Sequence, residues 1–248
     1  MNKVDVLIQP FCLRFSLHKD EIVYLVASSA EMQLDEMERF MGIDPAKDQL
    51  FDSNLGFLPV ATTTLIRGEK TILVDPGAHH VGFYGMLKKA LQRFDLTFDD
   101  VDMVVLTHSH HDHAASMTLL AGKPVVLGEG ELEYARAGQS PAEVDARFGR
   151  MGPQLVVPAG GSLELCPGVV AIHTPGHTPG HISVLVEAGD ERVAVTGDLV
   201  MVQAEYERRW GHWYSPETVA QLNDSLTKVR DWGPTLVLPG HDRAFRPR

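Results

Sequence analysis

The chain has 248 residues, 44% of them hydrophobic, with room for a substantial core in one α/β or double-sheet domain spanning residues 1–248. Its formal net charge of -11 excludes a broad basic footprint for nucleic acid and argues against adsorption to an anionic membrane. An uninterrupted run of ~18 apolar residues is absent, and Asp5 falls where a signal peptide needs an apolar stretch, so no membrane span and a cytoplasmic location are expected.

Taken in chain order, Asp5–Gln9, Glu21–Ala27, Ala61–Arg67 and Thr71–Val74 read as strands, being β-branched or apolar between polar breaks. From Glu31 to Leu58, Leu34, Met37, Phe40 and Met41 share a helical face before Pro45 and Gly56 break the pattern. That segment is expected as a core-facing helix with a surface loop, or as an adaptable Met-rich flap over the entrance to a site. Phe83–Phe94 carries apolar residues at spacings of three and four and is expected to be helical. Val101–Leu106 is a continuous apolar run, as in a strand buried on both faces. A short helix over Ala114–Ala121 and a strand at Pro124–Leu127 follow. Val169–Ile172, His181–Glu187, Arg192–Thr196 and Thr235–Leu238 read as strands. Ser215-Pro216 starts a helix, with Ser as cap and Pro in the first turn, and Gly233-Pro234 stops it near Trp232. Cys12 and Cys166 lie far apart and are expected to be free, buried thiols.

The densest chemistry lies in Thr107-His108-Ser109-His110-His111-Asp112-His113, directly after an apolar strand. Read as His-x-His-x-Asp-His, it offers two imidazoles to one metal ion, and a carboxylate with an imidazole to a second. Neutral imidazole and carboxylate are the donors that zinc and similar divalent ions take. Three later segments share one grammar, an apolar strand running into a Gly-containing loop that presents a donor: His177, Asp198 and His241. Each alone is weak; four in order are hard to explain as packing.

On these residues the chain resembles the metallo-β-lactamase superfamily, from about Ala61 to Asp242. The resemblance implies an α/β fold, an αββα sandwich of two facing mixed sheets with helices outside. It implies that His108, His110 and His177 hold one metal. Asp112, His113 and His241 would hold the other, and Asp198 would bridge the two. Two close divalent ions make hydroxide available near neutral pH, and that hydroxide attacks a carbonyl or phosphoryl centre. Asp112 both ligates and is positioned to orient the nucleophile or pass a proton to the leaving group. Asp75, in a loop like the family's earlier Asp loop, is the candidate for fixing the outer nitrogen of a metal-bound imidazole. Of the other histidines, His181 is expected beside the site, His173 near its shell, and His111 facing away. His79 and His80 are candidates to line the pocket, whereas His18 has no evident role. Zinc is the default ion, with manganese, iron and cobalt also suited to this donor set.

Asp198 stands where antibiotic-hydrolysing members usually carry Cys or Ser, and His110 separates the chain from the di-iron electron-transfer branch. Thr174-Pro175-Gly176-His177-Thr178-Pro179-Gly180-His181 and Pro239-Gly240-His241-Asp242 look most like the acyl-homoserine lactonases. The expected activity is hydrolysis of a small-molecule ester or lactone. Alternatives are a thioesterase of the glyoxalase II type, a phosphodiesterase or sulfatase, a mononuclear-iron oxidase or dioxygenase, and a non-catalytic metal-binding module. Met201 departs from the lactonases, which place a Tyr there; Tyr206 is the nearby candidate to replace it. His212, among Trp210, Trp213 and Tyr214, is a candidate substrate wall. Oligomeric state, including a homodimer, stays open.

Overall fold

The computed structural model of the chain describes residues 1–18, 21–28, 56–77 and 84–247. The strands up to the first described helix are β1 (Lys3–Ile8), β2 (Phe11–His18), β3 (Glu21–Ser28), β4 (Gly56–Val60), β5 (Thr63–Arg67) and β6 (Thr71–Val74). Then come α1 (Tyr84–Gln92), β7 (Met103–Val105), α2 (His111–Ala114), β8 (Val125–Gly128), α3 (Glu131–Gly138), α4 (Pro141–Phe148) and β9 (Gln154–Val157). The remainder holds β10 (Ser162–Cys166), β11 (Val169–His173), β12 (Ile182–Ala188), β13 (Glu191–Gly197), α5 (Gln203–Tyr206), α6 (Pro216–Asp231) and β14 (Leu236–Pro239).

Two mixed sheets carry the architecture: six strands in the order β1-β5-β6-β7-β8-β9 and five in the order β10-β11-β12-β13-β14. A smaller sheet pairs β3-β2-β4. Strands β6 to β9 run parallel to one another, as do β13 and β14.

The two-residue period of a strand explains the layering. Met103, Val105 and Val126 point into the cluster between the sheets, with Val169, Ala171, Ile182, Val184, Val193 and Val195 opposite them. Their neighbours Val104, Val125 and Leu127 point the other way, onto Leu87, Leu91, Val144 and Phe148 of the helices outside. On the far sheet Ala194 and Val237 turn outward to meet Leu222, Leu226 and Val229 of α6. This is the expected sandwich, helices outside and two sheets facing. Each fully buried aliphatic side chain contributes roughly 1.5–3 kcal/mol, so the inter-sheet layer is a rigid base for the loops at its edge.

Local expectations fare unevenly. Helix α6 starts as anticipated, with the Ser215 side chain accepting from the Thr218 amide and Pro216 in the first turn, and it stops before Gly233 (φ 72°). Helix α1 is slightly shorter than Phe83–Phe94. The helix expected over Ala114–Ala121 is instead α2 followed by a 3₁₀ turn at Met117–Leu120. The reason is a long-range contact: the Ser116 amide donates to the Pro76 carbonyl, not to the preceding turn. Elements β9, β10, α3 and α4 fill a stretch in which periodicity assigns none. Cys166 is buried and free. The helix-or-flap expectation for Glu31–Leu58 lies outside the described residues up to residue 55, as do His79 and His80. Among the described residues no helix is long and apolar enough to cross a membrane.

Candidate metal centre

Every donor named from the sequence sits just beyond the C-terminal end of a strand. Strand β6 leads to Asp75, β7 to the histidine tract, β11 to His177, β13 to Asp198 and β14 to His241. Parallel strands present such ends on one side of a sheet, so residues distant in the chain converge there. Two groups result: His108, His110, His177 and Asp198, and Asp112, His113 and His241, with the donor atoms of each group within 4.8 Å of one another.

Asp198 faces both groups at once. Its Oδ2 lies 3.4 Å from His177 Nε2 and 3.8 Å from His108 Nε2. Its Oδ1 lies 3.3 Å from His113 Nε2 and 3.4 Å from His241 Nε2. Asp112 Oδ2 closes the second group, 3.3 Å from His241 Nε2 and 3.7 Å from His113 Nε2. His110 turns Nδ1 inward, 3.0 Å from His177 Nε2. Gly240 makes room for this packing, since a Cβ there would stand 2.1 Å from Asp198 Oδ1. A Cβ on Gly77 would likewise strike the Asp112 carbonyl.

The residues fit a metal pair. His108 Nε2, His113 Nε2 and Asp198 Oδ1 are buried and lack any hydrogen-bond partner, although such atoms are normally satisfied. All three point into the space between the groups, where cations would satisfy them. The outer nitrogens of His113, His108, His110 and His177 meanwhile meet oxygen, as ligating imidazoles require. His113 Nδ1 donates to Asp75 Oδ2 at 2.9 Å. His108 Nδ1 lies 3.2 Å from Thr107 Oγ1, His110 Nε2 3.3 Å from the Tyr134 hydroxyl, and His177 Nδ1 3.3 Å from the Tyr214 hydroxyl.

Asp75 also accepts from the Thr107 amide at 2.8 Å and the Thr107 hydroxyl at 2.7 Å, tying the β6 loop to the first residue of the tract. It sits at φ 52°, a left-handed conformation that Asp and Asn tolerate better than most residues.

Electrostatics divide the groups. Burial drives His108 well below the usual imidazole range, with His113 and His177 adding repulsion. Burial likewise takes His177 down to about 4 and lowers His110. For His113 burial works in the same sense, but Asp198, Asp112 and Asp75 overcome it and hold the ring well above its usual value. His241 is pushed up to about 9, burial being outweighed by Asp198 and Asp112. Asp112 and Asp198 are both held low: burial opposes this, and the surrounding imidazoles prevail. Free of cations, the first group therefore offers neutral imidazoles, and the second must give up protons to take an ion.

Two participants, Glu131 and Glu205, carry no signature in the sequence, whereas His181 and His173 lie near the site as expected. Glu131 is buried, with Oε1 accepting from the Ser109 amide (2.8 Å) and hydroxyl (2.7 Å), and Oε2 from the Thr178 hydroxyl (2.7 Å). It thus clamps the loop of His108 and His110 to the loop of His177. Buried Glu205 accepts from the Met201 amide at 2.7 Å, and burial pushes its carboxyl up to about 8. His181 accepts from the Leu199 amide through Nε2 and meets the Thr174 hydroxyl at Nδ1, so it packs behind the donors. His173 braces the Pro179 carbonyl and the Gly160 amide.

Two expected site residues lie elsewhere. Tyr206 is packed between Phe245 and the Arg230 guanidinium in the cluster beneath α6, because its apolar ring completes that outer layer. The phenols that reach the donors are Tyr134, at His110, and Tyr214, beside Met201, at His177. His212 is exposed, edge-on to Trp213, whereas Trp213 and Tyr214 are partly buried.

Two facing mixed sheets with seven His and Asp donors at one edge define a metal-dependent sandwich protein. The family model described as "Metallo-beta-lactamase superfamily" matches residues 56–241, and the chain belongs to that superfamily. A "Probable metallo-hydrolase" of Methanocaldococcus jannaschii is 30% identical over 170 residues, 65% of this chain and 76% of that protein. An "N-acyl homoserine lactonase" of a Bacillus species is 30% identical over 97 residues, 39% of this chain and 37% of that one. A solved N-acyl homoserine lactone hydrolase with N-hexanoyl-L-homoserine at its catalytic metal center superposes with a TM-score of 0.64 at 18% identity. That match covers 94% of this chain and 90% of the other, and it shows the shared fold.

Proposed function

We propose that the chain is a single-domain, dinuclear metal-dependent hydrolase of small esters or lactones. The observation that carries this is the division of Asp198, whose two oxygens face different donor groups. His108, His110 and His177 would hold one ion, Asp112, His113 and His241 the other, and Asp198 would serve both, with zinc the default. When bound, such a pair supplies a hydroxide nucleophile near neutral pH and polarises the carbonyl under attack.

The chain's own groups do the rest. Asp198 is 5% exposed and Asp112 20%, so Asp112 is the carboxylate that reacting molecules reach. It would ligate through Oδ2, take the proton of the hydroxide as that oxygen adds to the carbonyl, and hand it to the departing alkoxide. Asp75, Thr107, Tyr134 and Tyr214 keep His113, His108, His110 and His177 in the tautomer whose inward nitrogen has a free lone pair. The similarity to lactonases, in sequence over part of the chain and in fold over most of it, supports ester or lactone substrates.

The test combines metal analysis with a hydrolysis screen over lactones, aryl esters, thioesters, phosphodiesters and sulfate esters. Two zinc-like ions per chain and turnover of lactones or aryl esters, abolished in folded His110→Ala, are expected. One iron per chain with oxygen consumption would overturn the reading in favour of an oxidase, and unchanged activity in His110→Ala would remove the proposed centre.

A further inference from the structure

Beside the metal centre a surface groove of about 610 Å³ opens, lined by His110, His111, Asp112, Gln139, Ser140, Glu143 and Arg147. Its inner end is the candidate ligand pair His110 and Asp112. Its outer end belongs to the loop joining α3 to α4 and to α4 itself. The groove therefore leads from the reacting centre to a guanidinium.

Arg147 is held in place rather than left to wander. One of its terminal nitrogens lies 3.3 Å from His111 Nδ1, and the other donates to Gln139 Oε1 at 3.5 Å. Gln139 is itself anchored, its amide donating to the Ser109 carbonyl at 3.0 Å inside the histidine tract. Arg147 is thus registered to the metal loop from two directions, while its half-buried fork keeps N–H groups to spare out of five.

No carboxylate neutralises it by direct contact. Among the described residues no Asp or Glu oxygen pairs with Arg147 within 4.0 Å; Asp145, on the same helix, is taken by Arg136 at 2.8 Å. Glu143, one turn earlier, is exposed and acts on Arg147 only at a distance. In a chain of net charge -11, an unpaired guanidinium fixed at the end of a groove from the metal centre has a chemical meaning. It is a counter-charge for a negative group on the ligand.

We propose that this groove seats a carboxylate at the far end of the substrate, with Arg147 as the specificity-determining residue. The inference rests on the hydrolase reading and names its substrate class: esters or lactones whose acyl part ends in a carboxylate. A singly charged group suits the site better than a phosphate dianion, because Glu143 and Asp112 line the same groove and repel additional negative charge.

The experiment uses the metal-loaded full chain and nitrophenyl half-esters of succinic, glutaric and adipic acids, each beside its methyl-capped neutral counterpart. The expected wild-type result is a preference in kcat/KM of about tenfold for the free carboxylate at one chain length, the size of one charge-assisted hydrogen bond. Arg147→Ala brings that ratio to near one, and Arg147→Lys restores part of it. A ratio near one in the wild type, or one unaltered in Arg147→Ala, overturns the proposal while leaving the hydrolase reading intact. If neither these esters nor the lactones of the screen are turned over, the hydrolase reading fails, and the groove is judged by equilibrium binding of glutarate against butyrate. Tighter glutarate binding in the wild type, lost in Arg147→Ala, sustains the seat; equal binding ends it.

Discussion

Asp75→Asn tests the centre most sharply, because it removes a charge and one acceptor without changing volume. Asn accepts the left-handed backbone that residue 75 adopts, so a backbone effect does not confuse the outcome. The native carboxylate accepts three hydrogen bonds: from the Thr107 amide on Oδ1, and from the Thr107 hydroxyl and His113 Nδ1 on Oδ2. An amide has one accepting oxygen, and both of its orientations fail. With its NH₂ toward His113, Nδ1 must become the acceptor and the ring proton moves to Nε2. That nitrogen points at Asp198 and Asp112, where it has to ligate. With the NH₂ turned toward Thr107, a buried backbone N–H loses its acceptor one residue before His108, at about 1–3 kcal/mol.

Loss of a partner of this kind typically lowers metal affinity 10- to 100-fold. The lost hydrogen bond should also lower Tm by on the order of 5 °C in a chain of this size. Competition with a chromophoric chelator reads the affinity of the more weakly held ion, and thermal unfolding reads the rest. Two ions per chain retained at wild-type affinity, within twofold, would show that Asp75 does not set the His113 tautomer.

Glu131→Ala strips three hydrogen bonds from two donor loops and should cost about 3 kcal/mol, measured by denaturant unfolding. Glu131→Gln should retain most of that stability, and an Ala variant within 0.5 kcal/mol of wild type, roughly the scatter of surface substitutions, refutes the clamp. Metal uptake should tighten by at least about tenfold per pH unit as pH rises towards 9, because an ion in the second group must displace the protons held by His241 and His113. A flat affinity between about pH 6 and pH 9 contradicts that. The same raised value stabilises the metal-free fold fully below the unfolded imidazole's pKa, about 6.5, and this contribution disappears as pH rises through about 9. Glu205 acts in the same sense over a lower window: folded metal-free protein keeps a proton that the unfolded chain releases above 4.5, so stability falls with pH until about 8. Glu205→Gln preserves the acceptor for Met201 and should stabilise the metal-free protein at pH 8 by up to about 4 kcal/mol, yet hardly at pH 4.5. Equal gains in Tm at both pH values would refute the buried-proton argument.

The chain itself determined which side chains assemble. A tract of four donors after an apolar strand, and three later strands each ending in a glycine loop with His or Asp, were readable because strand runs and metal donors are local signals. The α6 cap was readable for the same reason, as Ser215 and Pro216 act within one turn. Tertiary structure alone decided what holds those donors. Glu131 and Tyr134 matter only through partners brought near in the fold, and nothing in their own neighbourhoods distinguishes them from surface residues; Tyr214 stood out only as part of an aromatic cluster, not as a partner of His177. Tyr206 illustrates the converse: proximity in sequence to Met201 suggested a site residue, but its ring fills the layer beneath α6. Local pattern determines element type and donor identity, whereas long-range packing determines which oxygen meets which nitrogen, and so the tautomer and charge of each ligand.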